Sequence, residues 1–126
     1  MPNRTPDPRQ FLPLTQSTFN ILLALASGEK HGYAIMQEVD ERTGGEFKIG
    51  PGTLYGSIKR MHAAGWIVEL DERPDPALDD ERRRYYRLTD LGERVAIAEA
   101  ERLAQLVAAA RRQGLLPAPV PAEGGV

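Results

Sequence analysis

The sequence predicts a mainly α-helical fold with one small β-hairpin and a long helix at its C-terminal end. Three observations predict it. Apolar residues recur at three- and four-residue spacing in four separate stretches. Two short runs, Trp66–Leu70 and Arg83–Leu88, carry β-branched or aromatic residues and flank a polar stretch holding Pro74 and Pro76. From Thr89 to Arg112 the helical pattern continues without a proline.

Thr15 is placed to cap the first helix, ahead of Phe19, Leu22, Leu23, Leu25 and Ala26, and Gly28 ends it. A second helix starts near Gly32, with Tyr33, Met36 and Val39 on one face. Gly44-Gly45 stops it, because glycine takes the left-handed C-terminal conformation at little cost. The third begins at Pro51, whose fixed φ suits the first helical position. Leu54, Ile58 and Met61 form its inward stripe, and Gly65 ends it. The two strands follow, joined by the long tip Asp71–Glu81. Thr89 caps the last helix, with Asp90 and Glu93 in its first turn and Arg111-Arg112 in its last, both favourable to the helix dipole.

Three short helices, a hairpin and a further helix are the plan of a winged helix-turn-helix, the second and third helices being the reading pair and the hairpin the wing. The expected boundaries are a flexible N-terminal arm over 1–13, a winged-helix domain over 14–88, a dimerisation helix over 89–114 and a disordered tail over 115–126, rich in proline and glycine. The last helix spans roughly 35 Å at 1.5 Å per residue, more than a small domain covers. It carries two apolar stripes. One is Leu91, Val95, Ala98, Leu103, Leu106 and Ala110; the other includes Ile97 and Val107. One stripe serves the chain's own domain, and the other predicts a second copy. A single wide face on a monomer is the alternative.

With 126 residues, 41% hydrophobic, the chain suits one domain. It has no cysteine, so disulfides, thiol nucleophiles and thiolate metal sites are excluded. No apolar run approaches the ~20 residues of a membrane span, and residues 1–13 hold no apolar signal core, so a cytoplasmic protein without membrane contact is expected. His31 and His62 belong to no triad or metal cluster. The acidic tip does not have the spacing of a calcium loop, and Gly50-Pro51-Gly52 lacks the ending of a phosphate-binding loop. No catalytic residue, metal or cofactor is expected, and an enzyme is the least supported class.

The net charge of −2 excludes a uniformly basic protein but hides a local pattern. From Phe47 to Val68 there is no acidic residue, while Lys48, Lys59, Arg60 and His62 are present. With Leu54, Ile58 and Met61 inward, the third helix should present Thr53, Tyr55, Gly56, Ser57, Lys59 and Arg60. Small hydroxyls near a helix start suit base edges and phosphates. An ordinary solvated face is the alternative. Arg82-Arg83-Arg84-Tyr85-Tyr86-Arg87 is the second basic signal. If Tyr86 and Leu88 face the core, Arg83, Tyr85 and Arg87 line the opposite face, with Arg84 beside them. Guanidinium forks there suit phosphate. Pairing with Asp79, Asp80 and Glu81 is the alternative. Trp66 is expected to be buried between helix and wing.

These same residues resemble the PadR-like transcriptional regulators. The resemblance lies in His31-Gly32-Tyr33-Ala34-Ile35, Glu41-Arg42-Thr43-Gly44-Gly45 and Gly50-Pro51-Gly52-Thr53-Leu54-Tyr55. It continues in Ile58-Lys59-Arg60-Met61 with Gly65-Trp66-Ile67, and in Arg83-Arg84-Tyr85-Tyr86-Arg87-Leu88-Thr89 with Gly92. Five such motifs in order over about 15–107 are specific where one is not. The resemblance implies a homodimeric repressor on near-palindromic double-stranded DNA, released by a small-molecule effector. It implies DNA contacts by Thr53 and Tyr55, phosphate near Lys59, a basic wing strand, and Tyr33 near the DNA backbone. Gly50 and Gly56 stand where the family often has serine and proline, and residues 89–126 hold no aromatic residue with which to stack a flat ligand. A winged-helix protein-interaction module without DNA binding is the alternative function.

Overall fold

The computed structural model describes residues 6–70 and 84–119. Its helices are α1 (Gln16–Ala26), α2 (Gly32–Arg42), α3 (Pro51–Ala63) and α4 (Asp90–Arg112). Its strands are β1 (Lys30–His31), β2 (Ile67–Leu70) and β3 (Tyr85–Leu88), in the antiparallel order β1-β3-β2. The fold class is as expected: mainly helical, with a winged hairpin and a long final helix.

Local chemistry sets the helix starts. The Thr15 hydroxyl accepts the amide of Thr18 at 3.1 Å, and the Thr89 hydroxyl accepts that of Gly92 at 3.0 Å. His31 Nδ1 accepts the amide of Ala34 at 3.1 Å and caps α2. Gly50 supplies no side-chain cap to α3, which leans on Pro51 at its first position.

Ile21, Leu22 and Leu25 of α1 form the centre of the core with Ile35 and Val39 of α2, Leu54, Ile58 and Met61 of α3, Ile67, Tyr86 and Val95. Burying each large aliphatic group contributes about 1.5–3 kcal/mol. On α2 the inward stripe is Ile35 and Val39; Tyr33, expected beside Val39, is 42% exposed. Ile35 and Val39 are four residues apart, one helical turn, which places them in register on the core.

Two features lie outside the sequence expectation. β1 pairs with β3, Lys30 opposite Tyr86 and His31 opposite Tyr85, so the wing is fastened to the start of α2. Two residues are too short to show a period. The expected N-terminal arm also holds structure: Pro8–Phe11 is a turn of 3-10 helix packed on α4, capped by the Asp7 carboxylate, which accepts the Arg9 amide at 2.9 Å. The Phe11 ring meets Trp66 edge-on, centroids 5.2 Å apart. The contacts that order this segment come from distant residues, so it shows no local pattern.

Trp66 is buried, as expected, and its indole N–H has no hydrogen-bond partner among the described residues. Its carbonyl accepts the amide of Thr89 at 3.0 Å, and the Thr89 hydroxyl donates to the carbonyl of Gly65 at 2.6 Å. Gly92 lies so close to that Trp66 carbonyl that a Cβ there would overlap it. The first turn of α4 is thus latched to the end of α3. No described helix is long and apolar enough to cross a membrane.

Candidate nucleic-acid interface

Helix α3 turns its buried side to the core through Leu54, Ser57, Ile58 and Met61. Ser57 is therefore a correction: expected outside, it is 1% exposed. Its hydroxyl accepts a hydrogen bond from Arg60 Nη2 at 3.3 Å, so it steadies Arg60 rather than facing solvent. At ~3.6 residues per turn, Ser57 lies beside Met61 at the edge of the inner side, where a small hydroxyl residue is accommodated.

Thr53, Lys59 and Arg60 are exposed. Between Thr53 and Arg60 on one border and Lys59 on the other lie Gly52 and Gly56. A Cβ on Gly52 would meet nothing within 4 Å, and one on Gly56 would meet only Arg60 Nη1, at 3.6 Å. Neither glycine is demanded by packing. The centre of the outward face is bare helix backbone flanked by two cations and a hydroxyl. Lys59 makes no ion pair among the described residues, whereas Lys48 is held by Asp40 at 2.7 Å.

Tyr55 is half-buried and lies across the start of α2, its ring and hydroxyl against Gly32. Tyr33 stands one residue further on, exposed. His31 faces Tyr33 at 6.5 Å between centroids and takes the edge of Tyr85 at 5.3 Å. An aromatic group thus joins the α2 start to the wing strand.

On β3, Tyr86 is buried and Arg87 exposed, the expected alternation. Arg84 pairs with Glu69 of β2 at 3.6 Å, both side chains solvent-accessible, so its charge is partly balanced by the adjoining strand. Arg87 points elsewhere: it borders a 430 Å³ groove with Leu23, Ala26, Glu29, Ile97 and Ala100, on the α1 and α4 side. It is not gathered with the α3 residues. Arg83 lies outside the described residues.

The residues expected at a dimer contact divide in two. Val95 is wholly buried in the chain's own core and Leu91 packs against that core, which corrects their assignment to an intermolecular face. Ile97, Leu106 and Val107 are exposed, and Ala98, Leu103 and Ala110 are half-buried.

One residue escaped the sequence reading altogether. Glu99 is 2% exposed. It accepts Arg102 Nε at 2.6 Å, Arg102 Nη2 at 3.0 Å and the amide of Leu14 at 3.0 Å. The Arg102 hydrogen bonds hold its carboxyl below the usual glutamate range, the Leu14 amide adds to this, and burial opposes it. A glutamate amid charged residues on a helix carries no sign of burial; only its spacing of four from Val95 could have given it. No cluster of three metal-ligating side chains occurs among the described residues.

A winged hairpin beside a helix pair, with a bare-centred, cation-flanked outer helix, defines the winged-helix class of nucleic-acid-binding proteins. The model of the transcriptional regulator PadR-like family matches residues 21–98. The chain belongs to that family, whose members regulate transcription and are not enzymes.

A transcriptional regulator of Mycobacterium tuberculosis is 36% identical over 83 residues, covering 66% of this chain and 70% of its own. An uncharacterised protein of a Streptomyces fradiae transposon is 35% identical over 86 residues, 68% of this chain but 22% of that protein's length. An uncharacterised Lysinibacillus sphaericus protein is 33% identical over 72 residues, 57% of this chain and 63% of its own. The chain thus spans less than two-thirds of two of these relatives. Among solved structures, a PadR family regulator from Clostridium difficile superposes with a TM-score of 0.62 at 25% identity, over 75% of this chain and 94% of that one. Bacillus subtilis PadR in complex with operator DNA superposes with a TM-score of 0.55 at 22% identity, over 88% of this chain and 53% of that one, a likeness of fold.

Proposed function

We propose that the chain acts as a cytoplasmic homodimeric repressor that binds a near-palindromic DNA operator and is released by a small-molecule effector. The observation that carries the reading is the outward face of α3: Thr53, Lys59 and Arg60 around a side-chain-free centre at Gly52 and Gly56. The two glycines let the helix backbone between these side chains approach base edges and phosphates closely, and the cations supply salt-dependent affinity. Tyr33 at the α2 start and Arg84, the residue before β3, would add contacts to the DNA backbone, and Arg83, outside the described residues, is expected to do the same. Tyr55 supports the reading helix from behind.

Association of two copies rests on α4. Its first half is spent on its own domain through Gly92, Val95 and Glu99, while Ile97, Leu106 and Val107 stand exposed. The groove between α1 and α4 is largely apolar and rimmed by Glu29, Arg87 and Glu93, so it suits the α4 of a second copy, with Arg111 and Arg112 near its end. Two α3 helices so joined would enter successive major grooves with centres about 34 Å apart.

Selection of bound fragments from a random DNA pool at two salt concentrations tests the reading. An enriched palindrome that weakens steeply with salt is expected. No enrichment from a folded dimer would leave a winged-helix protein-interaction module instead.

A further inference from the structure

We infer that Glu99 and Phe11 are positioning residues that fix the direction of α4 against α3 and thereby set the spacing between DNA half-sites that the protein accepts. The inference rests on the dimeric reading above. In such a dimer α4 is the lever between the two reading helices, so whatever fixes its direction in one copy fixes where the other copy's α3 lies.

Two points define that direction. The first is the latch at the α4 start, where Thr89 holds Gly65 and Trp66 and where Gly92 sits against the Trp66 carbonyl. The second is Glu99, whose buried carboxylate takes the Leu14 amide at 3.0 Å. Leu14 in turn continues the N-terminal turn, and Phe11 of that turn seats its ring on Trp66. The N-terminal segment thus ties the middle of α4 back to Trp66, three residues beyond the end of α3. Arg102 closes the set by holding Glu99 in place from the same helix, at 2.6 Å.

The lever multiplies small shifts. Gly92 and Glu99 are ~10 Å apart along the axis, and Leu106 lies twice as far from Gly92, at ~1.5 Å per residue. A displacement of ~1 Å at Glu99 therefore becomes ~2 Å at Leu106 and is doubled by symmetry between two copies. That is comparable to the base-pair rise of about 3.4 Å. A one-base-pair change in spacing also rotates one half-site by about a tenth of a turn. A stiff lever rejects such operators, and a loosened one accepts them.

The test uses the full chain and its variants Glu99→Gln and Phe11→Ala. Affinity is measured for the selected operator, for operators with one base pair added or removed between half-sites, and for an isolated half-site. The parent is expected to disfavour the altered spacings by about tenfold or more, the scale of one mismatched pair. Both variants should narrow that to within about threefold, with half-site affinity and dimer dissociation unchanged. Folded variants that keep the parent's discrimination overturn the inference, as does a uniform loss at every site including the half-site. A parent that binds DNA without any spacing preference overturns the dimeric reading and this inference with it. Phe11 is a half-buried surface contact, so Phe11→Ala carries the test if Glu99→Gln does not fold. The chain has no cysteine. A nitroxide on His62→Cys therefore labels each copy once, and a narrow inter-copy distance in the parent should broaden in both variants.

Discussion

The phenolic oxygen of Tyr55, on α3, rests against the bare α-carbon of Gly32, the first residue of α2. No side chain fits between them: a Cβ at position 32 would overlap the hydroxyl and crowd the ring edge. The contact fixes the separation of the two helices of the reading pair. It also explains why a tyrosine on the reading helix is half-buried.

Gly32→Ala should therefore push α2 from α3 and cost about 1–3 kcal/mol, the scale of overpacking. The midpoint of thermal unfolding should fall by about 3–10 °C. Tyr55→Phe in the same chain should recover part of the loss, because it removes the closest atom. An unchanged midpoint in Gly32→Ala would refute the lock.

Gly56 gives a prediction with opposite signs. A Cβ there meets only Arg60 Nη1 at 3.6 Å, an ordinary contact. Gly56→Ala should raise stability by about 0.5–1 kcal/mol through helix propensity. If the bare face approaches DNA, the same change should weaken operator binding by about tenfold, the scale of one lost base-pair contact. Stability and affinity moving together would count against close approach at Gly56.

Lys59 and Thr53 stand on opposite borders of that face and should act differently. Lys59→Ala should weaken all DNA sequences alike and lower the slope of log affinity against log salt by about 1. Arg83→Ala is expected to do the same. Thr53→Ala should alter preference at one base position while leaving the slope alone. Titrations of operator and scrambled DNA at several salt concentrations separate the two, and the reverse pattern would overturn the division.

Much of this fold was legible in the sequence because its signals are local. Thr15 and Thr89 cap the helices they precede, Pro51 opens α3, and Leu54, Ile58 and Met61 repeat at helical spacing. What was not legible depends on partners far along the chain. Lys30 and His31 become a strand only because β3 passes beside them. Phe11 orders its turn by meeting Trp66. Of the candidate site, Thr53, Lys59 and Arg60 lie outward as expected. Ser57 does not, since a small polar residue beside an apolar stripe fits either side and only the packing decides.

Glu99 ties pH to stability. Its carboxyl is held below the usual glutamate range in the folded chain, first by Arg102 and then by the Leu14 amide. A depressed folded value means the stabilisation is present above the unfolded value and is lost as pH falls toward the folded one. At neutral pH, Glu99→Gln should cost about 1–3 kcal/mol, the range for a buried hydrogen-bonded charge. That difference between parent and variant should shrink as pH drops through the usual glutamate range. Denaturant unfolding at neutral and acid pH measures it, and a difference independent of pH would show that the charge of Glu99 contributes nothing.

The exposed and buried residues of α4 should separate cleanly under one type of substitution. Ile97 is 50% exposed and Leu106 55%, while Val95 is fully buried in the same helix. Glutamate at position 95 places a charge in the core and should unfold the chain. Ile97→Glu and Leu106→Glu alter half-exposed positions outside the core, so the variants should stay folded as monomers. Their effect should be on association: sedimentation should show monomers at concentrations where the parent is dimeric. Operator affinity should then fall by about 10²–10⁴, the avidity lost when two linked half-sites bind independently, while isolated half-site affinity stays level. Dimers that survive both substitutions would mean that the second copy docks elsewhere and that α4 is not the lever between the reading helices.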